Sequence, residues 1–66
     1  MAIYRCYLFD SQFVLLRADD FGDERAAKHA AASALFWEDC DHVEVWADHV
    51  KVVAWDRGYK PVKQAS

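Results

Sequence analysis

The sequence predicts an α+β fold of order ββαββ: a four-stranded, mainly antiparallel sheet with one helix packed on one face. Three observations predict it. Residues 2–9, 13–18, 42–47 and 50–55 alternate and are rich in β-branched and aromatic residues. Residues 23–39 contain no Gly or Pro and are dominated by alanine. Short polar stretches punctuate each strand pair, where side chains that bond to nearby backbone favour turns.

The first strand, 2–9, ends at Asp10-Ser11-Gln12, read as a loop of about three residues, and 13–18 returns as its hairpin partner. Acids concentrate at Asp19-Asp20-Phe21-Gly22-Asp23-Glu24, where free amides and the helix dipole favour negative charge, so Asp20 or Gly22 is the expected N-cap. At 100° per residue, Ala26, Ala27, Ala30, Ala31, Ala34 and Trp37 form one stripe, with Leu35 and Phe36 off its centre. An alanine stripe permits close approach, so the sheet must supply the bulk of the core. The acids Glu38, Asp39 and Asp41 oppose the dipole at the helix end, and nothing local balances them. The third strand, 42–47, turns at Asp48-His49 into the fourth, 50–55.

Alternation sorts the strand residues into two faces. Tyr4, Cys6, Leu8, Val14, Leu16, Val43, Val45, Val50, Val52 and Ala54 carry no charge and are assigned to the helix side. The other face holds Ile3, Arg5, Tyr7, Phe9, Phe13, Leu15, Arg17, Glu44, Trp46, Lys51, Val53 and Trp55. Exposed to water, that set would present several hundred Å² of apolar surface, near or above the largest patch usual on a monomer. Burial of each large side chain is worth about 1.5–3 kcal/mol. The expectation is a homodimer through Arg5, Tyr7, Phe9, Phe13, Leu15, Arg17, Glu44, Trp46, Lys51, Val53 and Trp55, with the charged members fixing register. A monomeric adaptor or inhibitor docking another protein by the same face is the alternative. Stacking of unpaired bases on the aromatics is disfavoured by charge.

The chain of 66 residues carries a net charge of −3, unevenly spread. Residues 1–56 hold all eleven acids against five bases, while 57–66 hold Arg57, Lys60 and Lys63 and no acid. An acidic body repels phosphate backbones, which argues against general nucleic-acid binding. The domain is read as 1–56, with 57–66 a basic, flexible tail in which Gly58 and Pro61 oppose regular structure. No apolar run is long enough to cross a membrane and no secretory leader is legible, so a cytoplasmic protein is expected.

Cys6 and Cys40 read as reduced, buried small apolar residues; a single bridge between them is the alternative if their positions coincide. Cys40-Asp41-His42 with Asp48-His49 has the donor types of a zinc site, but the spacing matches no standard four-ligand set. His42 and His49 therefore read as surface or hairpin-end residues, His29 as solvated, and no metal or other cofactor is expected. The acids 19–24 lack the alternating ligands of a calcium loop. Neither Ser11 nor Ser33 has a local activating base, and neither Gly22 nor Gly58 builds a phosphate loop, so an enzyme is not expected.

At Val43-Glu44-Val45-Trp46 the chain resembles a group of short bacterial proteins, common in alphaproteobacteria, that have no assigned activity. They share a Tyr-rich first strand ending in Asp, a second strand, an acidic helix start, an Ala-rich helix and a Glu-Val-Trp strand. The matching parts here are residues 4–10, 13–17, 19–24, 26–34 and 44–46, and the first turn departs in having Ser11-Gln12 after Asp10. The resemblance implies the ββαββ order and brings no site residues with it.

Overall fold

A computed structural model describes residues 3–57. Its elements are β1 (Tyr4–Phe9), β2 (Leu15–Phe21), α1 (Glu24–Trp37), β3 (His42–Ala47) and β4 (Val50–Asp56). They form one antiparallel sheet in the order β2-β1-β3-β4, with the helix on one face, as the sequence predicts. The sequence left the strand order undetermined. The structure puts β1 and β3 in the middle, each flanked by its own hairpin partner.

The first hairpin closes one residue later than predicted. Asp10 N–H donates to the Val14 carbonyl (3.0 Å), and the loop is Ser11-Gln12-Phe13. The Asp10 carboxylate accepts from the Gln12 and Val14 amides at 2.8 and 2.9 Å. Phe13 is thereby held at φ 61°, a left-handed conformation in which a large aromatic is uncommon. Phe13 and Val14 thus precede β2, which instead extends through Asp19, Asp20 and Phe21. Asp20 is a strand residue, and Gly22 is not the cap either. Asp23 is: its carboxylate accepts the Ala26 amide at 3.1 Å.

Each hairpin carries one irregularity, and each changes which face its outer strand presents. Leu8 opposes Arg17 while Phe9 opposes Leu15, so Leu16 is an extra residue in β2. Val45 opposes Val53 while Trp46 opposes Lys51, so Val52 is an extra residue in β4. Cross-strand partners share a face. Val53 and Trp55, paired with Val45 and Val43, therefore turn toward the helix and pack on the core. Ala54, predicted to be buried, points to the open side opposite Glu44 and is exposed. Val14, Leu16 and Val50 also leave the core, each at least half exposed.

The core itself is Cys6, Leu8, Val43 and Val45 against Ala27, Ala31 and Ala34, with Tyr4, Phe21, Leu35, Val52, Val53 and Trp55 around it. The small helix face lets the sheet come close, so the valines and Leu8 fill the layer between them. Leu35 joins this packing, whereas Trp37 ends the helix 78% exposed, its ring edge-on to Phe36 at 5.0 Å. Cys6 and Cys40 are both buried and both free. Burial pushes the Cys6 thiol up to about 11, so it packs as a neutral side chain.

The end of the helix is balanced from far along the chain. The Arg57 guanidinium donates through Nε to the Leu35 carbonyl (3.0 Å) and through a terminal nitrogen to the carbonyls of Leu35 and Glu38. The last turn contains no base of its own. Arg57 supplies the missing positive charge and the missing donors at once. It belongs to the folded domain, not to a tail; residues 58–66 lie outside the described residues.

Candidate functional site

The sheet face away from the helix is built by alternation in the two central strands. β1 sends Arg5, Tyr7 and Phe9 to it, and β3 sends His42, Glu44 and Trp46. Ile3 extends the β1 row, Leu15 adds to it beside Phe9, and Lys51 lies opposite Trp46. Of the predicted interface residues, this surface collects Arg5, Tyr7, Phe9, Phe13, Leu15, Glu44, Trp46 and Lys51. It does not collect Arg17, Val53 or Trp55. The bulge at Leu16 turns Arg17 to the helix side, where it pairs with Asp19 (2.9 Å) and Glu38 (3.1 Å).

Tyr7, Phe9, Leu15, Glu44, Trp46, Asp48 and His49 line a shallow depression of about 470 Å³. Within it Tyr7 and Phe9 lie 6.4 Å apart between ring centroids, and beyond its rim Phe13 meets Phe9 at 6.0 Å. Lys51 Nζ stands 5.8 Å from the Trp46 ring centre, within reach of its π face.

The charges on this face satisfy one another. Arg5 grips Asp20 with two nitrogens, at 2.6 and 3.2 Å. That side-chain pairing holds the Asp20 carboxyl below its ordinary value.

One end of the face, where β3 begins and β1 and β4 end, holds a residue that sequence reasoning placed at the surface or a hairpin end. His42 is 8% exposed. Its Nδ1 lies 2.7 Å from Asp56 Oδ1, and its Nε2 lies 2.9 Å from Glu44 Oε2. Glu44 Oε1 accepts the Trp46 indole N–H at 2.9 Å, and Lys51 Nζ is 3.9 Å from Oε2. The rings of Phe13 and Phe9 pack on the imidazole, with centroids at 4.7 and 5.6 Å. Burial opposes charge on His42, but the hydrogen bonds to Glu44 and Asp56 outweigh it and raise its pKa above 6.5. Burial likewise opposes charge on Glu44, yet its bonds from Trp46 and His42 leave its pKa below the ordinary value. The spacing His42, Glu44, Trp46 was the available signal, since i, i+2 and i+4 share a face in a strand.

His29 and His49 are exposed, as predicted. No group of three His, Cys, Asp or Glu side chains able to hold a metal ion occurs among the described residues. Nor is any helix among them long and apolar enough to cross a membrane. No protein-family model matches the chain, and no curated protein or solved structure matches it either.

Proposed function

We propose that this chain is a small binding protein that works by association, not catalysis, and that its open sheet face pairs with the same face of a second copy. The observation that carries this reading is a sheet face, left uncovered among the described residues, bearing Ile3, Tyr7, Phe9, Leu15 and Trp46 around charges that are already paired. Four strands of six or seven residues make a surface about 20 Å on each side, the scale on which two sheets pack about 10 Å apart. Because Arg5, Lys51 and His42 find acids on their own chain, a second copy can approach without contributing countercharges. Apolar contact then dominates, and a two-fold arrangement lets each copy present the same patch. Localisation in the cytoplasm is part of this proposal.

Size-exclusion chromatography with light scattering tests it. The expected mass at high micromolar concentration is twice the 7.6 kDa of the chain. A species of 7.6 kDa at several hundred micromolar overturns the homodimer and leaves docking to a different protein as the reading to pursue.

A further inference from the structure

The His42 cluster has a property that packing alone does not require. Both ring nitrogens face carboxylate oxygens, at 2.7 and 2.9 Å. Neutral imidazole has one N–H and one lone pair, so it can donate to only one of them. Both contacts are favourable when the ring is the imidazolium.

We propose that His42 is a proton-operated clasp: charged, it ties β3 to the end of β4, and on losing its proton it releases Asp56 and loosens the Arg57 cap of the helix. The two arms are unequal. Glu44 is 19% exposed and further held by Trp46, whereas the Asp56 side chain is 63% exposed. The neutral ring keeps its single N–H on Glu44, where no water replaces it. Its Nδ1 lone pair then faces the Asp56 carboxylate, which turns to solvent at little cost. Among the described residues, other groups do not compensate. Lys51 of β4 approaches Glu44 only, and Tyr7 of β1 lies opposite Glu44 in the sheet. β1 and the hairpin loop otherwise bring the rings of Phe9 and Phe13, and Asp10 is committed to backbone amides.

Asp56 and Arg57 are adjacent, and they fasten the same strand end on opposite sides of the sheet. Asp56 holds it to His42 on the open face; Arg57 holds it to Leu35 and Glu38 on the helix, while its amide donates to the Asp41 carbonyl at 2.8 Å. Releasing one fastening lowers the local opening energy of the other. The device belongs to the single chain and does not rest on pairing between copies.

The test combines an NMR titration of the His42 imidazole with hydrogen exchange at the Arg57 amide, read as protection factors from pH 5.5 to 8.5. His42 is expected to titrate above the ordinary imidazole value of about 6.5, and protection at Arg57 to fall about tenfold across the His42 midpoint. In D56N, which keeps the side-chain shape and loses the charge, the His42 midpoint moves down and the pH-dependent fall disappears. A His42 midpoint at or below about 6.5 overturns the proposal. So does protection at Arg57 that is flat with pH. Should D56N fail to fold, these two wild-type readings decide alone.

Discussion

Replacing Arg57 by alanine removes three N–H donors aimed at the last carbonyls of α1. The Leu35 carbonyl is part-buried and loses two charged donors, while the Glu38 carbonyl is more exposed and regains water. A hydrogen bond from a charged group contributes about 1.5–3 kcal/mol, and the lower end applies where solvent competes. A cation at a helix C-terminus adds about 0.3–1 kcal/mol, and no other base lies in this last turn. The sum is a loss of about 2 kcal/mol. For a domain of this size 1 kcal/mol moves Tm by roughly 4–8 °C, so R57A should melt about 8–16 °C lower. Thermal unfolding followed by circular dichroism at low micromolar concentration measures this. R57K keeps the charge without the fork, and it should recover about half of the loss. A fall below about 3 °C in R57A, or full recovery in R57K, would refute the assignment of Arg57 as the helix cap.

Other outcomes follow from the faces and the charges. Trp55→Ala should cost about 2–3 kcal/mol in urea unfolding, because Trp55 packs on the core, whereas Trp46→Ala should cost less and should abolish the species of doubled mass. Equal stability losses in the two variants would contradict the face reversal in β4. Asp23→Ala removes the side-chain bond that caps the first turn of α1, and should cost about 1 kcal/mol in the same assay. With pH, the His42 contribution is fully present below 6.5 and is lost as pH rises through its raised folded value. The Glu44 contribution is present above 4.5 and is lost as pH falls through its lowered folded value. The urea midpoint should therefore peak between these limits, and H42Q should lose the decline on the alkaline side.

What could be read in advance follows the range over which each signal acts. β3 and its turn match the predicted residues because His42–Ala47 is a central strand whose alternation is unbroken. The two outer strands kept their existence but not their faces. The inserted residues are Leu16 and Val52, ordinary β-formers with no Gly or Pro to mark a bulge. One unmarked residue in each strand was enough: Leu16 moved Arg17 off the open face, and Val52 moved Val53 and Trp55 off it and put Ala54 on it. The helix stripe was read correctly at Ala27, Ala31 and Ala34 but not at Ala26, which is exposed, nor at Trp37, which lies at the exposed helix end. At the helix end the Glu38 carboxylate is answered by Arg17 and the last carbonyls by Arg57, and no local window contains a contact to Leu35 across 22 positions. His42 was misplaced for a similar reason, since Asp56 and the Phe13 ring reach it only through the fold.

The extra residues Leu16 and Val52 sit in β2 and β4, which are the two edges of the sheet. A kinked edge with strong local twist is a poor template for another strand, because the incoming backbone loses step with its donors and acceptors. Growth by strand addition is thus discouraged along both borders, while the broad surface between them stays open. Face-to-face contact between two sheets closes on itself in a pair, whereas contact along an edge propagates. The same two insertions that rearranged the core therefore bias this aromatic-rich chain away from fibres.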